Sequence, residues 1–180
     1  MDHELKGYIP GDTNENFIYL TGAIISWWAR VEGIMIHDIF ALRTWPFSEP
    51  VIAKHSFPMN GRSVITQWCR LLENGYRHFS LDLPNMSGLV NEALDLLSHR
   101  NRLSHSFWPY GQKDQNILEI SWIKKNDGAP GGVSRANYSA TLEDLDKINT
   151  RLAHLYTATM AVSFNSHRLY RLGQEEEDKT

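Results

Sequence analysis

Within six residues, Arg100-Asn101-Arg102-Leu103-Ser104-His105, the chain places a guanidinium, an amide and an imidazole. A guanidinium presents a fork of donors that matches phosphate oxygens, and it stays charged at any working pH. An imidazole titrates near neutrality, so it can remove one proton and return another. Asn101 and His105 are four residues apart and share a helical face. The amide can therefore hold the ring in one tautomer or donate to a substrate oxygen. Arg100 lies about 140° around from His105 on an ideal helix. Bringing the two to one reacting group takes a long side chain, a loosened helix end or a second subunit. The chemistry indicated is proton transfer beside a stabilised phosphate. Arg100, Asn101 and His105 are the candidate catalytic residues, with Glu32, Ser104 and Arg102 in support and no metal.

A helix must position them. Leu89, Val90, Ala93, Leu94, Leu96 and Leu97 fall on one arc, and Asn91, Glu92, Asp95, Ser98, His99 and Arg102 fall opposite. Arg100 and Asn101 land inside the apolar arc, with His105 at its edge. An arginine aimed at a core or interface costs several kcal/mol unless it is paired or has work to do. Glu32 and Asp38, on a neighbouring helix, are its best carboxylate partners, and Asp95 is another. A purely structural Arg100 would pair with one of them or cap a helix end.

The other elements follow from periodicity. Asp12-Thr13-Asn14-Glu15 reads as a helix start. Phe17, Leu20, Ile24, Trp28, Val31, Met35, Ile39 and Leu42 then recur every three or four residues, which predicts a helix over 13–42. Ile18, Ile25, Trp27, Ile34 and Ile36 lie off that row, so this helix is buried on more than one side. Pro46, Pro50 and Pro58 mark a loop over 44–60. Asn60-Gly61 opens a helix over 61–74, stopped by Asn74-Gly75. Pro84 and Ser87 introduce the motif helix over 87–106, and Pro109 and Gly111 end it. Leu118–Trp122 and Arg135–Ala140 alternate around Asn126-Asp127-Gly128 and Gly131-Gly132, the pattern of a β-hairpin insert. Thr141 caps a last helix over 141–165 with Leu142, Leu145, Ile148, Leu152, Leu155, Ala158 and Val162 on one face. The fold class is all-α: an up-down helical bundle of four to five helices with a small β-hairpin insert. It forms a single domain over 1–172, with an acidic disordered tail over 173–180.

With the motif and its setting in view, Arg100-Asn101-x-x-x-His105 resembles the R-N-x-x-x-H form of the R-x(4–6)-H motif of HEPN domains. Ser106-Phe107-Trp108, a small residue and then aromatics after the histidine, is similar to small bacterial HEPN-like proteins. That resemblance implies a helical bundle acting as a metal-independent endoribonuclease without cofactors. It further implies a homodimer with the motifs of both copies facing one groove, and RNA as substrate. Such enzymes serve as toxins or defence components, which adds an antitoxin protein to the partners. The alternative is a catalytically silent helical module that binds a protein or nucleotide, with Arg100 as an anchor.

Composition narrows the classes. A formal charge of −3, from 18 basic and 21 acidic residues, argues against a nucleic-acid coat protein, whose affinity comes from many phosphate contacts. A small focused site is compatible with it. Arg70, Arg77, His78, His99, Arg102, Lys124, Lys125 and Arg135 could supply a local basic rim to such a site, though they read first as ordinary solvated surface. A single cysteine, Cys69, allows no internal disulfide and fits a reducing cytoplasm. No apolar run reaches membrane-spanning length, and the N-terminus is too polar for a signal peptide. There is no H-E-x-x-H, no G-x-x-x-x-G-K-[ST] and no G-x-S-x-G. His37-Asp38 points to two different helix sides, which disfavours a metal site there. The tryptophans, Trp27-Trp28 included, read as core or interface rather than base-stacking platforms.

Overall fold

The computed structural model describes residues 15–43, 45, 60–82, 85–105, 117–125 and 133–177. In chain order they form α1 (Glu15–Leu42), α2 (Gly61–His78), α3 (Met86–Ser104), β1 (Ile117–Lys125), β2 (Val133–Thr141) and α4 (Leu142–Glu177). The fold is helical with one inserted hairpin, as the periodicities predict. The expected helix start at 12–14, the loop over 46–59, Pro84, residues 106–111 and the turn over 126–132 lie outside the described residues.

Local chemistry explains where the elements begin. Asn60 has an extended backbone, and its side chain accepts from the Ser63 amide at 3.0 Å, an N-cap for α2. Asn85, rather than Ser87, caps α3: its Oδ1 accepts from the Gly88 amide at 3.3 Å. Thr141 and Asp144 cap α4 reciprocally. The Asp144 amide donates to Thr141 Oγ1 at 3.1 Å, and Asp144 Oδ2 accepts from the Thr141 amide at 2.9 Å.

Two helix ends differ from expectation. Gly75 does not stop α2: it is buried, and the helix continues to His78 because Tyr76 is also buried, at 5 % exposure. Termination comes later, with Ser80 in the left-handed region at φ 51°. The Leu81 amide reaches the Tyr76 carbonyl at 2.8 Å and the Ser80 amide the Arg77 carbonyl at 3.2 Å, the paired bonds of a Schellman end. The second correction is the tail. α4 runs on to Glu177, so residues 173–177 are helical, not disordered. Gly173 is buried there, and a Cβ on it would meet the Trp45 ring at 2.9 Å.

The described residues group into two compact units. One takes α1 up to Ile25 together with His99–Asn149, and the other takes Ser26–Ser98 together with the chain from Thr150. In the first unit Phe17, Ile24, Leu103, Leu118, Ile120, Ala140, Leu145 and Ile148 are buried. The hairpin pairs Ile117 with Thr141 through Lys125 with Val133 in antiparallel register. Leu118, Ile120 and Ala140 thus share its apolar face, and Glu119, Asn137 and Ser139 the polar one.

The second unit is a four-helix bundle. Trp28, Val31, Met35, Ile39 and Leu42 of α1 are buried, as are Ile65, Trp68, Leu71 and Leu72 of α2, Ala93, Leu96 and Leu97 of α3, and Leu152, Leu155 and Leu169 of α4. α2 and α3 approach closely at Gly61, where a Cβ would lie 2.9 Å from Leu97 Cδ1. The bundle also contains a buried carboxylate. Asp38, fully buried, accepts from Trp68 Nε1 at 2.9 Å, Ser163 Oγ at 2.7 Å and Ser166 Oγ at 3.0 Å. These three donors offset the cost of desolvating the charge. Among the described residues no helix is long and apolar enough to cross a membrane.

Candidate functional site

The site lies on the last turn of α3, in the first unit. Leu103 is buried at 3 % exposure and anchors this turn. Tyr138 of β2 covers a flank. Its ring lies 6.2 Å from that of His99, edge-on, and 5.6 Å below the Arg102 guanidinium. Burial raises the Tyr138 hydroxyl pKa, against the nearby Arg102 charge. His99 and Arg102, expected on a solvated face, are therefore half-buried under the hairpin. That cover was invisible in the helix periodicity, because it comes from a strand more than thirty residues downstream.

Arg100 sits in the middle of the buried arc of α3. At about 100° per residue it falls between Leu103 and Leu97, over Ala93 and Leu96. It is half-buried, its Nη1 donates to Asn101 Oδ1 at 2.9 Å, and its Nε is buried with no hydrogen-bond partner among the described residues. Asn101 is exposed, which corrects its expected place inside the apolar arc. The arc is narrower than drawn from sequence: Val90 and Leu94 at its far side are only half-buried, so Asn101 beside them emerges. His105 is exposed just past the end of α3, where its amide still bonds the Asn101 carbonyl at 3.1 Å. Ser104 is exposed as well.

Two of the carboxylates expected for Arg100, Asp38 and Asp95, are engaged otherwise. Asp38 holds its three donors in the second unit. Asp95 accepts from Arg151 Nη2 at 2.6 Å. Glu32, the intended supporting residue, is half-buried, with its Oε1 3.2 Å from where a Gly61 Cβ would stand. The described residues thus bring Arg100 and Asn101 together and leave His105 open one turn on. Arg102 is committed to Tyr138.

This arrangement can act on an oxyanion. Asn101 Oδ1 fixes one arm of the guanidinium fork, and with Nε buried it is Nη2 that is left to other acceptors. An exposed imidazole beside it can exchange a proton with a bound ligand or with water. Cys69, by contrast, is no nucleophile: burial first, then the Glu73 carboxylate, push its thiol up to about 12. Sequence reasoning missed Tyr138 as the residue that covers the motif. The signal was present in the alternation of Arg135–Ala140, which puts Tyr138 on the same face as Ala136 and Ala140. The hairpin carries an open depression of about 440 Å³ lined by Glu119, Ser121, Arg135, Asn137 and Ser139 of its polar face together with Ile120 and Tyr138, in which Arg135 Nη2 donates to Ser121 Oγ at 2.8 Å. Compared with family models, curated proteins and solved structures, the chain matches none of them.

Proposed function

We propose that this protein is an HEPN-like endoribonuclease that cleaves RNA by attack of a ribose 2′-hydroxyl on the adjacent phosphate. The observation that carries the reading is Arg100: a cation at the centre of a buried arc, hydrogen-bonded among the described residues to a neutral amide alone, with an exposed histidine five residues on. In the proposed mechanism His105 deprotonates the 2′-hydroxyl or protonates the leaving 5′-oxygen. Arg100 stabilises the charge that builds on the phosphorane, and Asn101 orients the guanidinium. The products are a 2′,3′-cyclic phosphate and a 5′-hydroxyl. Proton transfer and charge stabilisation come from side chains, so the reaction needs no metal or cofactor. A homodimer, with Arg100 and His105 of both copies facing one groove, would overcome their divergence of about 140° on a single helix. The setting in this reading is cytoplasmic, with the protein acting as a toxin or defence component and an antitoxin protein as its partner.

An RNA-cleavage assay with and without EDTA, followed by end-group analysis, tests this. His105→Ala and Arg100→Ala each lower the rate by about 10²–10⁴-fold, with the thermal midpoint within a few degrees of wild type. Asn101→Ala loses less, and EDTA changes nothing. Wild-type protein that leaves RNA intact, yet binds a partner through this face, would overturn the reading in favour of an interaction module.

A further inference from the structure

A groove in the second unit carries a different cluster of cationic and titratable groups. It runs between α1 and α4, holds about 510 Å³, and is lined in part by Arg30, Gly33, His37, Tyr156, Ser163 and His167. The groove is open to solvent along its length rather than enclosed. Arg30, Gly33 and His37 follow at helical spacing along α1, and Tyr156, Ser163 and His167 along α4.

The charges are arranged for an anion. The His37 and His167 rings lie 5.8 Å apart, centroid to centroid, and are tilted by 47°. This is too open for stacking and suits one oxyanion held between two N–H donors. The Arg30 guanidinium rests 4.8 Å from the Trp27 ring centroid, and Trp27 packs at 5.3 Å on Tyr156. Arg30 has no carboxylate partner among the described residues, and none of the described residues lining the groove is acidic. Asp38 Oδ1 stands 3.7 Å from His37 Nδ1 and engages that nitrogen, which leaves Nε2 of His37 for a ligand. The Asp38 carboxylate is sealed inside the bundle, where Trp68, Ser163 and Ser166 occupy its oxygens.

Gly33 adds an independent observation. It sits in mid-helix, where glycine is among the least favourable residues. A Cβ placed on it meets nothing within 4 Å, so packing does not require its absence. What the missing side chain leaves is open space between Arg30 and His37.

We infer that this groove binds a phosphate monoester, the phosphate held by Arg30, His37 and His167 and the attached flat group lying along Tyr156. Three donors from two helices suit a tetrahedral dianion, and the guanidinium fork matches two of its oxygens. The aromatic wall favours a nucleotide over a bare ion. This site is separate from Arg100 and His105, and its test does not depend on RNA cleavage.

Assigned imidazole resonances of the full chain, recorded near pH 6, are titrated with inorganic phosphate, adenosine 5′-monophosphate, adenosine and a 5′-phosphorylated oligoadenylate. Phosphate and the monophosphate shift His37 and His167 together and saturably, the monophosphate at lower concentration, and adenosine does not. Arg30→Ala weakens binding about tenfold or more, the loss of one charge-assisted contact. Gly33→Leu fills the groove and removes binding while helix content by circular dichroism is unchanged. Tighter binding of the mononucleotide than of the oligonucleotide assigns a free nucleotide, the reverse order an RNA 5′ end, and both sustain the site. Absence of a saturable shift at His37 and His167 with millimolar phosphate and monophosphate overturns the inference. So do shifts that persist undiminished in Arg30→Ala.

Discussion

Two arginines associated with α3 have opposite surroundings. Arg151 of α4 grips Glu92 with both arms, Nε to Oε1 at 2.8 Å and Nη2 to Oε2 at 2.9 Å, and adds Asp95 at 2.6 Å. Those hydrogen bonds, Glu92 first, raise its pKa still further. Arg100, five residues along α3 from Asp95, has among the described residues a single bond, to a neutral amide, and a buried Nε that none of them satisfies. The described residues account for the first cation and not for the second. A half-buried guanidinium to which they offer no carboxylate is where a ligand is to be looked for. Asp38 belongs with Arg151: it is buried, but each donor around it is accounted for.

The contrast breaks most visibly at Asp38. Asp38→Ala takes away the acceptor of the buried Trp68 indole and Ser163 hydroxyl, while Ser166 Oγ keeps the Ser163 carbonyl at 2.7 Å, and is expected to cost about 3–5 kcal/mol. Arg100→Ala removes a cation that the described fold does not pair, and is expected to change stability by under about 1 kcal/mol. Urea melts of the two variants decide the matter. Comparable losses would make Arg100 a structural residue like Asp38.

Arg151→Ala comes next. The pair is more than a third exposed, with Arg151 and Glu92 each at 39 %, so solvent screening limits the loss to about 1 kcal/mol. The deficit shrinks as salt is raised. A loss independent of salt would mean that packing of the Arg151 stem, rather than its charge, holds α3 to α4.

The smallest effect lies at the start of α4. The Thr141 backbone amide first, then its hydroxyl, hold the fully exposed Asp144 carboxyl below the usual carboxylate range. Its folded value is therefore lower than its unfolded one. The cap contributes above the unfolded value and is lost as pH falls through the folded one. Helix content followed through an acid titration shows this limb in wild type, and Asp144→Asn flattens it. An identical limb in the variant would mean that the cap does not anchor α4.

Much of the architecture could be read from local pattern. The row from Phe17 to Leu42 is buried at every position except Leu20, which is half-buried. The hairpin strands bracket those expected, and Thr141 caps α4 as its sequence implies. Reading failed where burial was polar. α4 looked finished near residue 165 because its buried positions there change from leucine to Ser163 and Ser166, which face Asp38 rather than oil. Within the motif, Arg100 was recognised as a misplaced cation. Asn101 and His105 proved more open than a wheel of uniform width allows.

What the sequence alone determined here is what depends on neighbours along the chain: helix and strand periods, caps, and the presence of Arg100, Asn101 and His105 within one helical turn and a half. Hydrophobic period and capping chemistry act over three or four residues, so they survive without knowledge of the fold. Only tertiary structure decided which polar groups are matched. Ser163 meets Asp38 from 125 positions away, Tyr138 roofs His99 and Arg102, and His37 faces His167 across a groove. Such pairings depend on which surfaces pack together. In a low-dielectric interior, a partner's identity decides whether a buried charge is part of the scaffold or free to act on a ligand.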